Sequence, residues 1–167
     1  FPTRRSSDLI MGSIFFNFWG LTAGFSAGSF QQKFGTKKAV LFGYMLCFIS
    51  LVVIGLNMQS ISNYAAAALI VMFVVGHTLG PGTGGMAIAA LSFPTEIRGT
   101  GCGWAQTMVR VGSIAGLYFF PLMRASQGIE KTFLYLAIVP LVAFIIISMI
   151  RWEPVGKDIE SEALKPE

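Results

Sequence analysis

The chain is short of charge. Only 12% of its 167 residues are Asp, Glu, Lys or Arg, against 54% apolar, whereas a water-soluble domain carries roughly a quarter charged residues. That scarcity excludes an ordinary soluble globule. Cysteine is scarce too: Cys47 and Cys102 lie in or beside apolar runs, so they read as small hydrophobes and not as a disulfide or metal pair. There is one histidine, and no acidic residue falls inside an apolar run. These gaps remove Ser-His-Asp, Cys-His and paired-carboxylate chemistry, so no enzyme activity is expected. Basic patches interleaved with aromatics are also missing, which argues against nucleic-acid binding despite a formal charge of +4.

What the chain does have is long apolar runs. A hydrocarbon core of roughly 30 Å needs about 20 apolar residues to cross it, and five stretches qualify: 10–31, 39–57, 64–92, 101–122 and 132–150. The expectation is an all-α membrane protein of five transmembrane helices with a charged tail over 151–167. The third stretch is too long for an upright helix and carries Gly80, Pro81, Gly82, Thr83, Gly84 and Gly85, which predicts a kink or tilt. This run lacks the Gly-Lys-Ser/Thr ending and the preceding strand of a phosphate loop, so it reads as a helix break lining a cavity, and no cofactor or metal is expected. Gly20, Gly24 and Gly28 recur every four residues on the first helix and predict a groove for close helix packing.

Residues 1–9 stand apart. They are what the codons TTC CCT ACA CGA CGC TCT TCC GAT CTN encode, a string that looks like a short-read sequencing adapter. They are expected to be foreign to the protein and are set aside from fold reasoning.

Orientation is read from the loops. Lys33, Lys37, Lys38, Arg98, Arg151, Lys157 and Lys165 fall on one side of the five spans, and only Arg124 and Lys131 on the other. The positive-inside rule places the first group in the cytoplasm, with the C-terminus. The first helix then starts outside, which suggests that further helices precede it.

Two loops carry motifs. The first contains Gly28, Gln32, Lys33, Gly35, Thr36, Lys37 and Lys38; Gly35 permits a tight turn, and the lysines hold the loop at an anionic leaflet. It resembles the cytoplasmic signature of the major facilitator superfamily, Gly-x-x-x-Asp-(Arg/Lys)-x-Gly-Arg-(Arg/Lys), with Gln32 in place of the acid and Thr36 in place of a base. The second loop, Phe93, Pro94, Thr95, Glu96, Ile97, Arg98, Gly99, Thr100 and Gly101, is similar to the loop between helices ten and eleven in the sugar-porter and organic-ion branches. Its departure is Leu91, where those branches carry an acid. Here Pro94 stops one helix, Thr95 is placed to cap the next, Arg98 stays in water, and Gly99 to Gly101 allow close packing. The tail from Glu153 to Glu160 is weakly similar to the segment that comes after helix twelve. The resemblance covers residues 10 to about 160 as helices eight to twelve of a twelve-helix fold.

Inside the spans, Arg110 is the outstanding residue. Nine residues past Gly101 at about 1.5 Å each put it some 13 Å deep, where a charge costs roughly 2.5–3.5 kcal/mol or more. Gln106, Thr107 and Ser113 share its face at helical spacing, so a substrate-binding stripe is one reading, and a structural arginine reaching backbone carbonyls or a buried acid is the other. The string Arg110-Val111-Gly112-Ser113-Ile114 resembles helix eleven of organic-anion carriers, where such an arginine favours anionic substrates. His77 falls near the middle of the third span, on a face with Gly80 and Gly84. An unperturbed pKa of about 6.5 suits a proton-coupling group, and a hydrogen bond to a neighbouring helix at the kink is the alternative.

The resemblance implies secondary transport by rocking of two halves around a central site. The implied partners are a small organic, anion-favoured substrate, protons, the bilayer and a missing N-terminal half of the chain. The location implied is the plasma (inner) membrane. Efflux of drugs or metabolites by proton antiport, and a non-transporting scaffold or sensor of the same fold, are the alternatives.

Overall fold

The computed structural model describes residues 4–151, with side chains from Ile10 onward. The tail segment Glu153 to Glu160 and the cations Lys157 and Lys165 lie outside the described residues, as do residues 1–3. Helix α1 spans Arg4–Phe34, α2 Thr36–Asn57, α3 Asn63–His77, α4 Thr83–Leu91 and α5 Thr95–Met149. A π-helical turn, Thr78–Gly82, joins α3 to α4. No strand occurs among the described residues, as expected of segments that must satisfy their own backbone in lipid.

Four continuous helical stretches are long and apolar enough to cross a membrane, one fewer than the five runs in the sequence. The difference lies in α5, whose 55 residues would reach about 80 Å as a straight rod, far beyond one bilayer. It breaks at Gly128, where φ is 80° and ψ is 166°, a left-handed conformation natural to glycine. Two limbs result, 95–127 and 129–149, so the nine-residue connection suggested by the sequence shrinks to a single glycine.

The core lies around α2. Gly43, Cys47, Ser50, Leu51 and Ile54 are all buried there. On one side α2 meets α3 and the π turn through glycines: a Cβ on Gly80 would stand 3.1 Å from the Ala39 carbonyl oxygen, and one on Gly76 would stand 2.7 Å from Leu46 Cβ. On the other side it meets the second limb of α5, since a Cβ on Gly55 would lie 2.9 Å from Leu134 Cγ. The two helices are antiparallel. Gln59 Nε2 donates to Glu130 Oε1 at 2.8 Å at one end. At the other end Lys37 Nζ donates to the Ser148 carbonyl at 3.2 Å and to the Ile150 carbonyl. A cation placed on the last carbonyls of a helix opposes the negative end of its dipole.

The first limb of α5 is far less covered. It touches α4 near its start, where the Phe93 ring fills the space over Gly101 and Gln106 Nε2 lies 2.8 Å from Met86 Sδ. Beyond that, Gly112 and Gly116 have open space above them, and Ile114, Leu117 and Tyr118 are at least 66% exposed. An apolar surface of this extent is suited to lipid or to further helices.

Candidate functional site

The third span is the most irregular element, and its irregularity starts with Pro81. Proline has no amide hydrogen to give to the His77 carbonyl four residues back, and its ring crowds that carbonyl. The chain widens into the π turn, and the Thr83 amide reaches the Thr78 carbonyl five residues back as well as that of Gly80. Gly80 and Gly84 turn inward onto α2 and are buried. His77 does not share that face, as its spacing from them suggested. It is exposed, because the extra residue in a π turn rotates the helix before it against the helix after it. Its ring stacks on Phe73 at 6.2 Å and 21°. Gly76 and Gly80 pack on either side of Gly43, so His77 stands level with Gly43, about one turn from the middle of α2 toward the basic loop.

Arg110 is exposed on the first limb of α5 and makes no hydrogen bond or ion pair among the described residues. Gln106, one turn before it, is held at Met86. Because α4 and this limb run antiparallel, the Gln106 to Met86 contact sets Arg110 about level with Gly82 along the helix axis. Two hydroxyls of the stripe are turned back on their own helix: Thr107 donates to the Gly103 carbonyl and Ser113 to that of Val109, both at 2.9 Å. Gln106, Arg110, Thr107 and Ser113 thus share one helix, and none of these contacts joins them to His77.

A cleft of about 930 Å³ opens between α1 and α3, lined by Ser13, Asn17, Gly20, Val74 and Thr78 among others. It contains neither His77 nor Arg110. Gly20, which lines it, and Gly24 bring α1 close to the third span, with Cβ positions 3.3 Å from Val74 Cγ1 and 3.8 Å from Thr78 Cγ2 respectively, whereas Gly28 has nothing within 4 Å and is not part of the packing groove its spacing predicted. Sequence reasoning passed over Asn17, although a carboxamide in the middle of an apolar run is a readable signal. It also passed over Gln31 and Thr83, whose side chains meet at 2.8 Å.

The two signature loops take definite form. Gly35 adopts φ 90°, its amide donates to the Gln31 carbonyl at 2.8 Å, and Thr36 beside it is 1% exposed. Lys33 Nζ lies over the Phe34 ring at 5.6 Å, while Lys38 is exposed. In the second loop Pro94, not Thr95, holds the capping position of α5, and no side chain caps it; Thr95 is already the first helical residue. Arg98 is only partly exposed, and its Nε donates to the Phe93 carbonyl at 3.2 Å, so it braces the loop instead of standing free in water. Gly99 has open space around it.

A model of the Major Facilitator Superfamily matches residues 6–166. The chain belongs to that superfamily. YwtG of Bacillus subtilis, a protein named for metabolite transport, is 28% identical over 134 residues, 77% of this chain and 29% of the relative. The inner membrane metabolite transport protein YgcS of Escherichia coli is 30% identical over 72% of the chain and 26% of its own length. The inorganic phosphate transporter PT2 of Toxoplasma gondii is 22% identical over 95% of the chain and 28% of its own length. The chain therefore spans somewhat more than a quarter of these relatives. Helices long enough to span, together with this membership, make it an integral membrane protein of a transporter superfamily.

Proposed function

We propose that the full protein is a secondary active transporter, and that it carries a small organic anion in symport with protons. Family membership supports transport, and the observation that supports an anion is Arg110. This cation is exposed on the first limb of α5, with no hydrogen-bond or ion-pair partner among the described residues. A guanidinium offers a planar fork that grips a carboxylate or phosphate at two points. That one relative is named for inorganic phosphate favours an anion further. His77 is the candidate for proton coupling. The remaining helices would come from an N-terminal half, with residues 1–9 foreign to it, and alternating access from rocking of the halves. The plasma (inner) membrane, with the basic loops and the C-terminus in the cytoplasm, fits the charge bias across the spans.

The test is flux. Right-side-out vesicles carrying the full-length protein are given labelled inorganic phosphate, a monocarboxylate, a dicarboxylate and a neutral hexose, with and without an inward proton gradient. Gradient-driven accumulation of at least one anion and not of the hexose is expected. Proton-driven loss of a preloaded probe would turn the reading to antiport, and no movement of any probe would sink it.

A further inference from the structure

Gln31 makes two connections at once. Near the end of α1 and 7% exposed, it directs its side-chain Nε2 to Thr83 Oγ1 at 2.8 Å and to the Leu79 carbonyl at 3.3 Å. The carbonyl partner fixes this atom as the amide nitrogen, because two oxygen acceptors cannot bond to each other. The Thr83 hydroxyl passes the chain on, donating to the Thr78 carbonyl at 2.8 Å. Meanwhile the main-chain carbonyl of Gln31 accepts the Gly35 amide at 2.8 Å, closing the turn into α2. One residue thus bonds through its side chain to the broken third span and through its backbone to the basic loop.

The arrangement answers a physical need. A helix interrupted at membrane depth has carbonyls that require donors from the side, since lipid offers none. The Thr83 hydroxyl adds a second donor to the Thr78 carbonyl, which its own amide already reaches, and Gln31 brings one to the Leu79 carbonyl from across the interface. Gly84 lets this part of the span sit close to α2: a Cβ there would stand 2.4 Å from Val40 Cγ2, while keeping an ordinary contact of 3.6 Å with Gln31 Nε2.

We propose that Gln31 is a positioning residue for transport, its amide fixing the break at Thr78–Thr83 and joining it to the Gly35 turn, so that loop and break move as one body. This role rests on the protein being a transporter. The test uses the full-length protein and two readouts, one of which needs no substrate. In Gln31→Leu and in Thr83→Val, amide hydrogen exchange should rise about tenfold over residues 78–83, the scale of one lost hydrogen bond. It should rise at Gly35 as well, although Thr83 does not touch it. The double variant should exchange no faster than the faster single one, and Thr83→Ser, which keeps the hydroxyl, should behave as wild type. Net uptake should fall with the half-saturation concentration unchanged. Unaltered exchange in a normally abundant Gln31→Leu protein overturns the proposal. So does a rise spread equally over all helices with a lowered melting temperature, the mark of a merely structural role. If wild-type protein moves none of the probes, the transport reading and the transport clause fail together, and the coupling of loop and break is judged on exchange alone.

Discussion

Gly43 and Gly80 meet backbone to backbone, with a Cβ on either one falling 2.6 Å from the Cα of the other. No side chain can be moved aside at this crossing, so the broken third span can sit against α2 only if both residues stay glycine. Gly43→Ala or Gly80→Ala should destabilise the protein by about 2–3 kcal/mol, the upper part of the range for overpacking. Gly28→Ala and Gly112→Ala, in open space, should be neutral or gain up to about 1 kcal/mol from helix propensity. Melting of the detergent-solubilised protein measures all four. Equal effects at crowded and open positions would refute the crossing.

Much of this fold was legible because lipid simplifies the code. Long apolar runs announce spans, and Gly35 and the Gly80–Gly85 stretch announce a turn and a break through backbone chemistry local to a few residues. The rest depended on packing between helices or on irregular backbone that periodicity does not show. The Gln31 to Thr83 bond joins two runs that look separately unremarkable. His77 left its apparent face because a π turn shifts the helical phase. Arg98 meets the Phe93 carbonyl through a loop fold that periodicity does not encode.

Sidedness can be tested at three exposed positions. Ser60 and Gln127 lie at the end of the bundle marked by the Gln59 to Glu130 hydrogen bond, and Lys38 lies at the opposite end. Thr36, 1% exposed, is too buried to serve as a probe. Cysteines at Ser60 and Gln127 should react with an impermeant maleimide in intact cells, and one at Lys38 only after the membrane is opened. Reaction at position 38 in sealed cells would invert the topology.

His77 is suited to carrying a proton because it is exposed beside the break yet stacked on Phe73, which holds the ring without a hydrogen bond to either nitrogen from the described residues. In His77→Gln, accumulation driven by a proton gradient should vanish while exchange of internal for external substrate continues. An unchanged pH profile of uptake would make His77 a packing residue and move the coupling group to another part of the protein.

Arg110 is the residue on which the anion reading turns. Near the apolar region a guanidinium must find water, an acid or an anionic ligand. No acid among the described residues pairs with it, and the hydroxyls of Thr107 and Ser113 are occupied by their own helix. Water in a cavity, a ligand or a group from the rest of the protein is left to meet the charge. Lysine retains the charge but loses the two-point fork, so Arg110→Lys should raise the half-saturation concentration for an anionic substrate by about tenfold or more, the scale of one charge-assisted hydrogen bond. Arg110→Ala should nearly abolish uptake at normal surface abundance. If the arginine instead neutralises an acid from another helix, Arg110→Ala should strand that acid and lower abundance, and a second substitution removing the acid should restore it. Normal abundance together with unaltered affinity in Arg110→Ala would eliminate both roles, and the anion reading would lose its principal support.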